Sequence, residues 1–129
     1  MNPENNKSVA RNLTELLGRG QVEDALRLLA DDLTWSVQGL GTFDKNGMRG
    51  NWRQVFSTVS GESVLRIREM TAEADRVAVE IDVDIKLPDG RDYRTTISAL
   101  MVIRDGKVAE AREYLDTAYV QKTFGPEPT

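Results

Sequence analysis

The chain has 129 residues, of which 40% are hydrophobic, and this size predicts a single domain over residues 1–129. Its 21 acidic residues outnumber its 17 basic residues, and the lack of a basic run argues against nucleic acid as a partner. Without cysteine or histidine, the sequence excludes thiolate nucleophiles, imidazole bases and the usual zinc sites. Any acid–base chemistry must therefore be carried by Asp, Glu, Tyr or Lys.

No membrane or secretion signal is recognisable in the sequence. No stretch approaches ~18 consecutive apolar residues, and the first residues, "MNPENNKS", contain no apolar run. No loop has the spacing of acids and glycine that a calcium site requires. We therefore predict no membrane contact, a cytoplasmic location, and neither a metal nor an organic cofactor.

Three helices are predicted in the first half of the chain. Leu13 and Leu17 belong to an apolar stripe at helical spacing, and the glycines of "GRG" at 18–20 predict its end. A second stripe in "QVEDALRLLADD" predicts a short helix that ends at the paired aspartates. After a predicted strand in "LTWSVQG", the segment "NWRQVFSTVSG" places Trp52 and Val59 on one face of a third helix.

From Ser63 onward the apolar residues recur with a period of two, which is typical of strands. The strand-like runs are "SVLRIREMTA", "DRVAVEIDVDIKL", "DYRTTISALMVI" and "KVAEAREYLDT". Asp-Gly pairs in the connections "PDGR" and "RDGK" favour tight hairpins. The chain is therefore predicted to have an α+β fold, in which helices cover one face of a strongly curved antiparallel sheet.

The two faces of the predicted sheet differ in polarity. In residues 77–85 the odd positions are apolar and the even positions include Glu80, Asp82 and Asp84, whereas neither face of the following strand is polar throughout. An apolar outer face would be exposed in a monomer, and large exposed apolar patches are uncommon on monomers. We therefore predict a homodimer through the outer sheet face, with Ile81, Met101 and Leu115 in the interface.

The run "KVAEAREYLDT" at 107–117 places Arg112, Tyr114 and Asp116 on the same side of one strand. A solvated strand edge would explain this row of polar side chains. The floor of a small-molecule pocket would explain it equally well.

The order of the elements, together with "ALRLLADDLTW", "DGRDY" and "VIRDGKVAEAREYLD", resembles the SnoaL-like branch of the nuclear transport factor 2-like superfamily. This superfamily includes ketosteroid isomerases, polyketide cyclases and limonene epoxide hydrolases. The resemblance spans nearly the whole chain. It implies a cone in which three N-terminal helices wrap the curved sheet around an internal apolar pocket, often in a dimer.

The resemblance implies different site residues for different members of the superfamily. The three functional positions of ketosteroid isomerase fall on Leu13, Val37 and Ser98, none of which can act as the required acid or base. Steroid isomerisation by that arrangement is therefore not expected. The polyketide cyclase pattern implies an acid at Glu113, one position out of phase with Asp116.

The limonene epoxide hydrolase pattern implies its two aspartates at Asp82 and Asp116. Its arginine falls on Glu80, and its tyrosine and asparagine fall on Trp35 and Val37, so two of five positions are retained. In this register we predict the following pocket residues: Asp116, Asp82 and Arg112 for catalysis, and Tyr114, Trp35, Glu80, Ser98, Leu100 and Val37 for substrate binding.

The resemblance, together with these residues, implies a cofactor-free enzyme that acts on a hydrophobic small molecule as an isomerase, a cyclase or an epoxide hydrolase. Asp116 would be the general base or would activate water, Asp82 would share its proton, and Arg112 would hold the pair. Two carboxylates in an apolar cone are expected to have pKa values driven apart. Tyr114 and Trp35 would shape the pocket.

Each of these predictions has a structural alternative. Asp82 would be a solvated acid on a half-buried strand, Asp116 would be the N-cap of a helix in "LDTAYVQKTF", and Arg112 would pair with an acid on a neighbouring strand. Trp35 and Trp52 would belong to the core. The protein as a whole would then be a non-catalytic module for small-molecule binding or dimerisation.

Overall fold

The structure, a computed structural model, describes residues 2–57 and 63–125. Its elements in chain order are α1 (Pro3–Gly18), α2 (Val22–Leu26), β1 (Leu29–Val37), β2 (Gly41–Phe43), α3 (Lys45–Ser57), β3 (Ser63–Glu73), β4 (Arg76–Lys86), β5 (Asp92–Arg104), β6 (Lys107–Tyr114) and α4 (Thr117–Phe124). The strands form one curved, open sheet in the order β2-β1-β6-β5-β4-β3. The predicted α+β fold is confirmed.

Strands β3 to β6 form the predicted antiparallel meander. The hairpin between β5 and β6 turns at Asp105 and Gly106, whose φ angles of 53° and 76° are both positive. A two-residue turn with positive φ at both positions matches the twist of the strands that it joins. The tight hairpin that the Asp-Gly pair of "RDGK" predicted is therefore confirmed.

The strand patterns predicted a sheet that is antiparallel throughout, but the observed sheet contains a parallel pair. β1 pairs with β6 in parallel, with Trp35 opposite Ala111, and the short strand β2 adds an edge beside β1. A parallel pair requires a long connection, and here the chain passes through α3 and the whole meander before β6 returns beside β1. The parallel contact therefore joins the first strand to the last.

Two helices differ from their predicted bounds. The second was expected to continue to the aspartates of "LADD" but ends at Leu26, because Leu29 and Leu33 are buried as strand residues with exposed Asp31 and Asp32 between them. α3 begins earlier than predicted, and Val59 lies outside the described residues. Within the described ranges, none of the helices is long and apolar enough to cross a membrane.

The core lies between the helices and one face of the sheet, called here the inner face. α1 begins where the Asn2 side chain accepts a hydrogen bond from the Glu4 amide at 3.0 Å, and it buries Leu13 against the sheet. Val79 on β4 is 1% exposed in this core. Apolar helix stripes thus meet the apolar, odd-numbered side of the strands.

This packing overturns two predictions about the faces. The face of β4 to β6 that was predicted to line the pocket, which carries Glu80, Ser98 and Arg112, is the opposite or outer face, because the helices must bury their apolar stripes against the apolar side. Ile81, Met101 and Leu115, predicted for an outer dimer interface, lie on the inner face and contact the core. That choice of interface residues is wrong, whereas dimerisation itself stays a prediction.

Candidate functional site

A cavity of about 480 Å³ lies between the inner face of the sheet and α1, α3 and α4. Its wall is largely apolar: α1 contributes Leu13, α3 contributes Met48 and Trp52, and α4 contributes Val120 and Phe124. Pockets with mostly apolar walls and a few polar groups are typical of small-molecule sites. The cavity is therefore suited to a mainly apolar ligand.

Glu113 is the one charged side chain in the wall of this cavity among the described residues. It lies on β6 opposite Ala99 of β5, and its neighbours on the same face are Ala111 and Leu115. The alternation of the strand thus presents a carboxyl group to an apolar cavity. No lysine or arginine of the described chain lines the cavity to neutralise it.

The environment of Glu113 favours its protonated form. Burial raises the pKa of this carboxyl group, and the hydrogen bond from the Trp35 indole lowers the pKa in part. The indole Nε1 donates to Glu113 Oε1 at 2.8 Å. The side chain is partly accessible because it borders the cavity, so a ligand in the cavity can reach it. A carboxyl group of this kind can exchange a proton closer to neutral pH than an exposed glutamate.

The parallel pairing of β1 with β6 positions Trp35 beside Glu113. Val37 lies opposite Glu113 in this pairing, and Trp35 lies opposite Ala111. Trp35 is 4% exposed, and its ring meets that of Trp52 edge to face at a centroid distance of 5.5 Å. Because both rings are packed, the indole donor holds the carboxyl group in one orientation.

Several uncharged polar side chains also reach the cavity. Asn51 and Gln54 come from α3, Gln121 from α4, and Tyr93 from β5. Thr14 borders the cavity too, but its hydroxyl donates to the Ala10 carbonyl at 2.9 Å. The amides and the phenol could bind oxygen or nitrogen atoms of a ligand that is otherwise apolar.

The cavity has few of the ligands that a metal ion requires. Throughout residues 2–57 and 63–125, no three acidic side chains come together as a possible metal site. The single carboxyl group of the cavity falls short of the six or more oxygen ligands that a hard cation takes. The acid–base capacity of the cavity thus rests on Glu113.

The predicted substrate-binding residues divide between the two faces. Trp35 and Val37 line the cavity. The other four lie on the outer face: Glu80, Ser98, Leu100 and Tyr114. Glu80 and Tyr114 flank Ser98 in a row across three strands, but this surface is open and Tyr114 is 46% exposed. Their predicted place in the pocket wall is wrong because alternation directs them away from the helices.

Asp82 and Arg112 also lie on the outer face, and they do not form the predicted pair. Asp82 accepts hydrogen bonds from Arg66 and Thr96 at 3.0 Å each, and the Arg66 bond is the main cause that lowers the pKa of Asp82. A lowered pKa opposes the predicted proton sharing. Arg112 contacts Glu110 of its own strand at 3.0 Å. Asp82 therefore fits the alternative of a solvated strand acid.

Asp116 begins α4, as its structural alternative predicted. Its carboxylate accepts a hydrogen bond from the Tyr119 amide at 3.0 Å, and the residue is exposed. This is the geometry of an N-cap, which satisfies an amide that has no partner within the helix. Capping accounts for the residue without a catalytic role.

Replacing Asp116 with alanine is expected to loosen α4 without removing the acid of the cavity. Loss of an N-cap destabilises a helix by about 1 kcal/mol, so amide hydrogen exchange at Tyr119 should become roughly fivefold faster. Asn caps helices as well as Asp does, and Asp116→Asn should therefore exchange like the wild type. Equal acceleration in both variants would contradict the capping role.

The functional residues of the cavity were only partly foreseen. The polyketide cyclase register predicts an acid at Glu113, whereas the sequence patterns do not predict Tyr93, Asn51 or Gln121. The signal for Glu113 was present in the sequence, since it stands between Ala111 and Leu115 on an apolar strand face. A single acid on such a face is placed against the core by alternation.

Residues 10–111 match the sequence profile of the SnoaL-like domain. A search of curated proteins found no significant match. The profile match confirms the resemblance that the motifs predicted.

Solved structures share the fold at low sequence identity. AclR, a candidate hydroxylase from Streptomyces galilaeus, is 16% identical with a TM-score of 0.83, and the match covers 98% of this chain and 100% of AclR. IdmH, a candidate polyketide cyclase from Streptomyces antibioticus, is 19% identical with a TM-score of 0.78, covering 94% and 99%. An epoxide hydrolase of the limonene type from M. tuberculosis is 15% identical with a TM-score of 0.78, covering 95% and 90%. Identities this low establish the fold alone.

Proposed function

Because the chain belongs to the SnoaL-like domain family and presents one buried carboxyl group to an apolar cavity, we propose that it catalyses proton transfer on an uncharged, mainly apolar small molecule. Glu113 is the general acid–base. The observation that carries this proposal is the position of Glu113 in the cavity wall, with its pKa raised by burial and its orientation set by Trp35.

The chemical step uses the two protonation states of Glu113. Its carboxylate takes a proton from a carbon next to a carbonyl group, and the C–H electron pair becomes the double bond of an enolate whose charge lies on oxygen. The carboxylic acid then returns the proton to the same carbon or to a conjugated carbon. In the second case the product is an isomer of the substrate.

The surroundings of Glu113 support this step in two ways. An apolar wall strengthens interactions with the charge that develops during proton transfer. The described wall residues include no lysine or arginine. No ion pair therefore offsets the rise that burial causes in the pKa of Glu113. Water activation by an aspartate pair has no such support, because Asp82 and Asp116 lie outside the cavity.

Deuterium exchange into 2-tetralone tests the proposal without knowledge of the natural substrate. This bicyclic ketone is uncharged and has acidic C–H groups beside its carbonyl. Binding is followed through the fluorescence of Trp35 and Trp52, which both border the cavity. Exchange in D₂O is followed by proton NMR, and the protein should accelerate it above the buffer rate with saturation at the concentration that changes the fluorescence.

The same experiment separates the proposal from its alternative. Saturable binding with exchange at the buffer rate only, for 2-tetralone and for other cyclic ketones that bind, would contradict the proposed proton transfer. That result would favour a non-catalytic binding module.

A further inference from the structure

Tyr93 on β5 is placed in the cavity wall without an evident structural need for its hydroxyl group. The residue is 4% exposed, and its ring packs against two aromatic rings of α4, Tyr119 at 4.7 Å and Phe124 at 5.0 Å between centroids. These contacts hold the ring in one position. Within the described ranges, however, no hydrogen-bond partner is found for the Tyr93 hydroxyl.

The hydroxyl group of Tyr93 is accessible to a ligand. In the described part of the chain, no fully buried polar side-chain atom lacks a hydrogen-bond partner. The partnerless hydroxyl of this buried residue must therefore retain accessible surface, and the residue borders the cavity. A phenol that is packed by its ring and unpaired at its hydroxyl is prepared to bind a polar atom from outside the chain.

The neighbouring Tyr119, in contrast, has a hydroxyl group with a structural role. Its hydroxyl accepts a hydrogen bond from the Arg94 amide and donates one to the Asp92 carbonyl, each at 3.2 Å. It is not part of the cavity wall. The Tyr119 hydroxyl thus links α4 to β5 by hydrogen bonds, whereas the Tyr93 hydroxyl forms no such link.

The Tyr93 hydroxyl is a donor over the whole working range of pH. Burial, with smaller contributions from Tyr119 and Glu113, raises the pKa of Tyr93 to about 12. A protonated phenol can donate one hydrogen bond and accept from others. With no lysine or arginine in the described wall, an uncharged acceptor such as a carbonyl oxygen is the matching partner.

The strand register separates Tyr93 from Glu113 along the cavity. Ala99 lies opposite Glu113, and Tyr93 precedes Ala99 by six residues on the same strand, which corresponds to roughly 20 Å of chain. The donor therefore stands beside α4, on a different part of the cavity wall from the carboxyl group.

We propose that Tyr93 is a specificity-determining residue that donates a hydrogen bond to a carbonyl oxygen, so that the cavity selects uncharged carbonyl compounds over hydrocarbons of the same shape. This inference rests on the proposed function for the choice of cavity, but it concerns binding and not proton transfer. Selection arises because the ligand without an oxygen leaves a donor in an apolar site unpaired.

The test compares two probes of nearly the same shape, 2-acetylnaphthalene and 2-ethylnaphthalene, by fluorescence titration. Tyr93→Phe keeps the packed ring and removes the hydroxyl. It should weaken binding of the ketone by about five- to tenfold and change binding of the hydrocarbon by less than about twofold. Tyr119→Phe is the matched control, because it removes a neighbouring hydroxyl outside the cavity, and the ratio of the two dissociation constants should stay at the wild-type value.

The infrared carbonyl stretch of bound 2-acetylnaphthalene identifies the donor directly. The stretch should lie at lower frequency in the wild type and in Tyr119→Phe than in Tyr93→Phe. A shift that persists in Tyr93→Phe and disappears in Glu113→Ala would overturn the inference, since the carbonyl would then face the acid. Because neither readout depends on exchange, Tyr93 can fail as a donor while Glu113 still transfers protons, and the reverse also holds.

Discussion

Replacing Glu113 with glutamine should lower the rate of deuterium exchange into 2-tetralone by about a hundredfold or more. A positioned general base contributes on the order of 10² to 10⁴ to a proton-transfer rate, and no other carboxyl group of the described residues borders the cavity. Glutamine has nearly the same shape, and its amide oxygen can still accept the hydrogen bond from Trp35. Binding of 2-tetralone should therefore change by less than about threefold.

Glu110→Gln provides the matched control on the same strand. Glu110 contacts Arg112 on the outer face and does not border the cavity, so this variant should exchange 2-tetralone at the wild-type rate. Equal activity of the Glu113→Gln and wild-type proteins would remove Glu113 from the mechanism. An equal loss in both glutamine variants would point to a general effect of charge.

The pH dependence of stability in the wild type and in Glu113→Gln serves as a check that both proteins are folded. Burial raises the pKa of Glu113 in the folded state, so the unfolded chain releases this proton at lower pH than the folded chain does. The wild type should consequently lose stability relative to Glu113→Gln as the pH rises from the ordinary value of 4.5 to the raised pKa. The variant should therefore be folded at neutral pH, where the loss of activity is measured.

Placing an aspartate at Val79 should prevent stable folding, whereas an aspartate at the adjacent Ala78 should be tolerated. Val79 is 1% exposed on the inner face, and an unpaired carboxylate buried there would be expected to destabilise the fold by about 4 kcal/mol or more. That is a large part of the 5–15 kcal/mol that typically stabilises a domain. Ala78 is exposed on the outer face, where most substitutions change stability by less than about 0.5 kcal/mol in either direction.

Urea denaturation followed by circular dichroism measures both variants. Each variant adds the same charge to the same strand. The difference between their urea midpoints therefore reports which of the two positions faces the core. Similar midpoints for Val79→Asp and Ala78→Asp would contradict the assignment of the odd-numbered residues to the core. The result would then restore the even-numbered face as the candidate pocket wall.

The strands could be predicted from the sequence because their periodicity and turns are local signals. The Asp-Gly pair at residues 105–106 predicts a tight hairpin from the conformations that two residues must adopt. The parallel contact of Trp35 with β6 could not be predicted in this way. It joins segments more than seventy residues apart, and no local pattern records which strand a returning chain will lie beside.

The predicted face of the pocket is wrong because a row of polar residues on a strand does not by itself indicate a site. Arg112, Tyr114 and Asp116 form a conspicuous polar row, but polar side chains on one face of a strand are the usual sign of solvent. The helices bring apolar stripes that must be buried, and the odd-numbered face was the only apolar partner with matching alternation. Glu113 interrupts that face, and such an interruption marks a buried polar group.

Tyr93 is an example of a residue whose role depends on tertiary structure. Its alternation predicts that it faces the core, as for many tyrosines in strands. Whether its hydroxyl is paired depends on α4, which packs Tyr119 and Phe124 against the ring and, among the described residues, gives the hydroxyl group no partner. This information lies in the contact between a strand and a helix, and the sequence of neither element contains it.

Carbon-13 NMR of the Glu113 carboxyl group, titrated with and without 2-tetralone, tests whether Glu113 is a buried acid–base group in the ligand cavity. The resonance is assigned by its absence in Glu113→Gln. We expect a pKa above 4.5, because burial opposes ionisation, and a change in chemical shift when 2-tetralone saturates the cavity. The rate of exchange should increase with pH as this carboxyl group ionises. A pKa at or below 4.5, together with no response to bound 2-tetralone, would contradict a buried acid–base group in the ligand cavity.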